Sequence, residues 1–117
     1  METPERPLTV AVVGPSAAGK STLVAALRAR GIRTRHVAQE HSYVRDMWQR
    51  IADPDVLIYL DVSYEETQRR RGRWGPERLR VERERLSHAR EHADLVVHTD
   101  DLTPEQMLEQ VLAFLGE

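Results

Sequence analysis

Apolar residues along this chain fall into short runs separated by polar, glycine-marked or proline-marked breaks, and the period within each run predicts its element. Leu8 to Val13 is an unbroken, β-branched-rich run ending at Gly14, the pattern of a strand buried on both faces. From Ser21 the period changes: Leu23, Val24, Ala26 and Leu27 recur at helical spacing, with Gly31 where a C-terminal cap belongs. Ile32 to Ala38 alternates, predicting a second strand with Ile32, Thr34, His36 and Ala38 on one face and Arg33, Arg35 and Val37 on the other. Ser42 is placed to cap a short helix from Tyr43 to Ile51, with Met47 and Trp48 in the core, before Asp53-Pro54-Asp55 ends it. Val56 to Leu60 is the strongest strand pattern and leads into Asp61. Glu65 to Arg71 is predicted helical, Gly72 to Pro76 a loop, and Glu77 to His92 one charged helix with a thin stripe of Leu79, Leu86 and Ala93. Leu95 to His98 is the fourth strand. Thr103-Pro104-Glu105-Gln106 then has the form of a capping box, opening a helix that buries Met107, Leu108, Val111, Leu112 and Leu115.

Four strands alternating with helices predict an α/β fold, a three-layer α/β/α sandwich on a four-stranded parallel sheet, because right-handed crossovers place helices on both faces. A chain of 117 residues supplies one core, hence a single domain. The formal net charge of -2 and the scattered basic residues show no nucleic-acid footprint, and no apolar run approaches a membrane span. The polar, proline-punctuated start, Met1 to Pro7, is unlike a secretory signal and reads as a frayed N-terminus of a cytoplasmic protein. Cysteine is absent, which excludes disulfides and thiolate metal sites.

Between the first strand and first helix stands Gly14-Pro15-Ser16-Ala17-Ala18-Gly19-Lys20-Ser21, which fits G-x-x-x-x-G-K-[ST] in the strand-turn-helix context that this phosphate-binding P-loop requires. Gly14 and Gly19 let the backbone wrap with its amides inward, and the helix N-terminus adds partial positive charge. Lys20 is expected to reach the β- and γ-phosphates, the Ser21 hydroxyl to ligate Mg²⁺, and Thr22 to meet the α-phosphate. Lys20 is the only lysine among 17 basic residues, so a compact point charge stands where the phosphate cradle needs one. Two acids lie beyond strand ends, where ligands of open α/β sheets bind: Glu40, preferred as the metal-linked or catalytic acid, and Asp61 as its alternative. Gln39 and His41 flank Glu40 and are candidates to orient a water or an acceptor hydroxyl. Arg69, Arg70, Arg71 and Arg73 precede or enter the Gly72 to Pro76 loop, a cluster suited to the charge on a transferring phosphoryl group, with Arg70 and Arg73 foremost. Trp74 either covers a base or anchors the loop in the core.

Taken together, Gly14 to Thr22, the run Asp55 to Ser63 with its Arg-rich helix, and Ala93 to Asp100 followed by Leu102 to Glu105 resemble the nucleotide-kinase branch of P-loop proteins, especially thymidylate- and adenylate-kinase-like enzymes, over most of the chain. The resemblance implies a lid in which Arg69, Arg70 and Arg73 close over the phosphates. It implies an adenine-side loop from Thr99 to Thr103, Asp101 included, and a sheet order of second, first, third, fourth strand. Kinases of that branch insert a long acceptor-binding segment after the P-loop helix, whereas Gly31 to Glu40 leaves room for one strand, so the acceptor pocket is expected to be missing.

The expectation is a protein that binds Mg²⁺ and ATP and acts on the β-γ phosphate bond as an NTPase or phosphotransferase. Guanine recognition through Asn-Lys-x-Asp is impossible without Asn, which leaves ATP as the default nucleotide. The alternatives are a nucleotide-responsive binding module with little catalysis, or a kinase whose acceptor site a second subunit completes. A homodimer is left open, and a substantially exposed apolar helix stripe would argue for one.

Overall fold

The computed structural model describes residues 7–117, so nearly all of the expected frayed start lies outside the described residues. Thr9–Val13 (β1) runs into the glycine-rich turn and then helix Lys20–Ala29 (α1). Arg33–His36 (β2) is followed by a single 3-10 turn, Gln39–His41, and by the short helix Met47–Ala52 (α2). Next come Val56–Asp61 (β3), Tyr64–Arg70 (α3), Pro76–Arg85 (α4), Ser87–His92 (α5), Leu95–His98 (β4) and Pro104–Leu115 (α6). All strands pair in parallel in the order β2-β1-β3-β4, the expected order.

The period-two character of β1 and β3 builds two cores. Val10, Val12, Ile58 and Leu60 face α1 and α6, meeting Leu23, Leu27, Met107 and Val111. Ala11, Val13, Leu57 and Tyr59 point the other way, against Trp48, Leu86 and Ala89. Helices therefore cover both faces of a sheet whose central strands are buried except at their ends, and the strand ends leading to Gly14, Val37 and Val62 all open at one rim. Among the described residues no helix is long and apolar enough to cross a membrane.

Three boundaries depart from the expectations, each for a tertiary reason. The helix expected from Tyr43 begins only at Met47, because Ser42 Oγ closes a turn by accepting the Val44 N–H at 3.0 Å instead of capping a helix. The helix is bonded at its start from a distance: Gln39 Oε1 accepts the Trp48 N–H at 2.8 Å, while Gln39 Nε2 donates to the Val44 carbonyl. The helix expected to run unbroken from Glu77 to His92 divides at Leu86. There the Arg85 carbonyl takes a bond from Gln39 Nε2 and the Ser87 hydroxyl bonds the Glu84 carbonyl, so two acceptors of the helical ladder are shared or diverted. The second strand ends at His36, and Val37, not its alternating neighbours, is the fully buried residue, its N–H given to the Val12 carbonyl.

Candidate functional site

The rim between β1 and α1 carries the glycine-rich turn. Gly14 passes so close beneath β3 that a Cβ there would lie 2.3 Å from the Leu60 carbonyl oxygen, a contact no side chain survives. Further along, Ala17 (φ 69°) and Gly19 (φ 102°) adopt left-handed backbone, and strain held at a non-glycine residue is concentrated at functional turns. Gly19 is the N-cap of α1 and brings no side chain to it, so the first-turn amides of Lys20, Ser21 and Thr22 face outward unsatisfied by a cap. Ser21 and Thr22 are themselves exposed.

Lys20 folds back over this turn. Its Nζ donates to the Gly14 carbonyl at 2.7 Å and the Pro15 carbonyl at 2.9 Å, and pairs with Glu40 Oε2 at 2.8 Å. Both side chains are buried, at 6% and 5% exposure. Glu40 Oε1 is enclosed with no hydrogen-bond partner among the described residues. A buried carboxylate oxygen left without a donor needs an explanation, and one that faces a glycine-rich turn beside a buried lysine fits a hard cation or a water.

Around this pair lies an open cleft of about 860 Å³, bordered by the turn, Arg69, Arg71, Trp74 and Arg78 on one side and Thr99, Asp100, Leu102 to Pro104 and Met107 on the other. Its walls are mainly cationic. His36, at the end of β2, also borders it and stays largely exposed; partial desolvation and then the Lys20 charge hold its pKa below the ordinary histidine value. Asp100 is raised by partial burial, but the Ser63 side-chain and backbone hydrogen bonds prevail, leaving its pKa below the usual aspartate value.

The candidate residues divide by what the fold does with them. Lys20, Glu40 and Ser21 come together at the turn, and Arg69 lines the cleft. Arg70 serves as a brace: its guanidinium donates to the Ala17 carbonyl at 2.6 Å and the Thr99 carbonyl at 2.8 Å and pairs with Glu66 at 2.8 Å. It thereby ties the strained turn to the loop after β4, a position at the cleft wall unlike that of a free lid arginine. Arg73 is exposed on the 71–75 loop and does not border the cleft. Asp61 is likewise not among the lining residues; its carboxylate accepts the Val62 N–H and faces Arg83 at 3.4 Å and His98 at 3.7 Å. Glu40 is thus the strand-end acid brought to Lys20. Asp101 is exposed beside Asp100, and it is Asp100 that borders the cleft. Gln39, considered as a water-orienting group, is completely buried and its amide is occupied by the bonds that shape α2 and α4; His41 is exposed, 3.7 Å from Glu40.

Trp74 belongs to neither core; it is half-buried in the cleft wall with the Arg78 guanidinium 3.6 Å from its ring centre. The residue sequence reasoning passed over is Glu82. It is 4% exposed and its carboxylate accepts the Ser16 N–H at 2.9 Å and the Ser16 hydroxyl at 2.7 Å. Its only signal in the sequence is a position on the Leu79 and Leu86 side of α4, where a glutamate interrupts the apolar stripe.

No protein-family model and no curated protein matches this chain. Among solved structures, the shikimate kinase of Aquifex aeolicus superposes on it with a TM-score of 0.62 and 13% sequence identity, over 93% of this chain and 96% of that one. At that identity the likeness is one of fold: the single α/β domain with its four-stranded parallel sheet shares the architecture of that enzyme.

Proposed function

We propose that this protein binds Mg-ATP in the cleft above the Gly14 to Thr22 turn and acts as a phosphotransferase on its β-γ bond, with water or a small molecule as acceptor. One observation carries the reading: the buried Lys20–Glu40 pair seated on the glycine-rich turn, with Glu40 Oε1 left without a donor among the described residues. The P-loop kinase fold and the resemblance to nucleotide kinases support it.

In this reading the first-turn amides of α1 receive the α- and β-phosphates, and Lys20 exchanges its two carbonyl partners for phosphate oxygens. Ser21 Oγ and Glu40 supply hard oxygen donors of the kind Mg²⁺ selects, Glu40 directly or through water, and the ion when bound shields charge on the phosphate oxygens. Arg69 and Arg71 stand along the cleft to offset charge on the transferring group, with Arg73 reaching in if the 71–75 loop closes. Arg70 holds the turn and the Thr99 to Thr103 loop together, and the resemblance to nucleotide kinases assigns that loop to the adenine. The acceptor oxygen attacks the γ-phosphorus and releases its proton to solvent, the bond to the β-γ bridging oxygen breaks, and ADP departs.

The test follows γ-labelled ATP with Mg²⁺, alone and with a panel of nucleotides and small hydroxyl compounds, against Lys20→Ala. Label leaving ATP in a Lys20-dependent way is expected, and its destination separates hydrolysis from transfer to an acceptor. Label that stays on bound ATP refutes the enzyme reading and leaves a nucleotide-responsive binding module.

A further inference from the structure

The amides of a phosphate-binding turn are anion ligands, and in this protein one of them already holds an anion of the chain's own. Glu82, on α4, takes both the N–H and the hydroxyl of Ser16, the third residue of the turn, at 2.9 and 2.7 Å. Arg78 braces the carboxylate from one helical turn away at 3.4 Å and lays its guanidinium 3.6 Å from the Trp74 ring centre. The Trp74 carbonyl is in turn bonded by Gln68 of α3. A continuous set of contacts therefore runs from the turn through Glu82 and Arg78 to the 71–75 loop.

Ser16 lies at the γ-phosphate end of the turn. The ammonium of Lys20, the group that serves the β- and γ-phosphates, rests on the carbonyls of Gly14 and Pro15, immediately before Ser16, whereas the α-phosphate end belongs to Ser21 and Thr22 in the first turn of α1. A γ-phosphate approaching this end meets a carboxylate that is nearly sealed from solvent, so the repulsion between them is weakly screened. A diphosphate leaves that end empty.

Resting on the Mg-ATP reading above, we propose that Glu82 is a specificity-determining latch that senses the γ-phosphate: nucleoside triphosphate displaces its carboxylate from Ser16 and so frees Arg78 and Trp74, while nucleoside diphosphate binds with the latch closed. The 71–75 loop is then coupled to the state of the nucleotide through a charge contact.

The experiment measures Mg-ATP and Mg-ADP affinities of the intact chain by calorimetry for wild type, Glu82→Gln, Ser16→Ala and Lys20→Ala. Glu82→Gln keeps the shape and removes the charge, and is expected to tighten ATP roughly tenfold with ADP nearly unchanged, the scale of one repulsive charge in a partly desolvated site. Ser16→Ala, which leaves the turn's backbone amide intact and loosens one of the two bonds, shifts the ratio of affinities the same way by less and covers the case in which the first variant folds poorly. In wild type, ATP alone alters the Trp74 emission, a change lost in Trp74→Phe. If nucleotides bind wild type in a Lys20-dependent way but Glu82→Gln leaves the ATP-to-ADP ratio unmoved, or weakens ATP, the latch is refuted while the Mg-ATP reading stands. If neither wild type nor Glu82→Gln binds nucleotide, that reading fails and the latch with it.

Discussion

Replacing Lys20 with Met is expected to destabilise the ligand-free protein as well as abolish the proposed binding of phosphates. The Lys20–Glu40 contact is 2.8 Å long and both side chains are almost wholly enclosed, so its attraction is weakly screened. At an effective dielectric constant of about 20, two unit charges at this separation attract by about 6 kcal/mol, but desolvation has consumed much of that. What the substitution changes is the partner left behind: Glu40 keeps a buried negative charge whose Oε1 already lacks a donor, and the carbonyls of Gly14 and Pro15 lose theirs. Removing one member of such a pair costs about 3–5 kcal/mol. Against a total stability of roughly 5–15 kcal/mol this is a large fraction, and for a chain of this size it lowers Tm by about 12–20 °C. Adding Glu40→Gln to Lys20→Met removes the stranded charge and is expected to restore most of the loss. Urea unfolding of the wild type, both single variants and the double variant closes the cycle. A loss below about 1 kcal/mol in Lys20→Met, or simple additivity in the double variant, would refute the argument that the pair holds the turn through mutual neutralisation.

Two further outcomes are expected. Thr103 accepts the Gln106 N–H while Gln106 returns a bond to the Thr103 N–H, so Thr103→Ala, which breaks this reciprocal cap on α6, should cost about 1 kcal/mol in urea unfolding, with the fold unchanged by circular dichroism. His36, though exposed, has its pKa lowered by partial desolvation and by Lys20, so the unfolded chain binds its proton more readily than the folded one. Its contribution to stability is therefore complete above the unfolded value near 6.5 and is lost as pH falls through the lowered folded value. An NMR titration should place the His36 midpoint below that of the unfolded chain, and Mg-ATP, by recruiting Lys20 to phosphate, should raise it; a midpoint at or above the unfolded value overturns the assignment of cause.

Local pattern and tertiary context contributed different things to this protein. The run Leu8 to Val13, the capping box at Thr103 and the glycines at 14 and 19 were legible because each element is specified by nearest neighbours: side-chain period, a cap within one turn, a turn that admits no Cβ. From them came the layers and the turn that presents Lys20, while the strand order followed from the resemblance to nucleotide kinases. Where a backbone or side-chain polar group finds its partner across the fold, the sequence carries no comparable sign. Gln39 reaching over to start α2 and to help divide α4 from α5 was invisible in this way; Glu40 was preferred to Asp61 from its place beyond the second strand, but its ion pair with Lys20 is a product of the fold. Arg70 reads like its neighbours in a basic run, yet its guanidinium spans from α3 to the Ala17 and Thr99 carbonyls. Glu82, separated from Ser16 by 66 residues, looked like one more charge on a charged helix until packing buried it against the turn. Periodicity reports which face of an element is dry; only the assembled fold decides which polar groups meet in that dry space, because those pairings depend on distances between elements that no local spacing encodes.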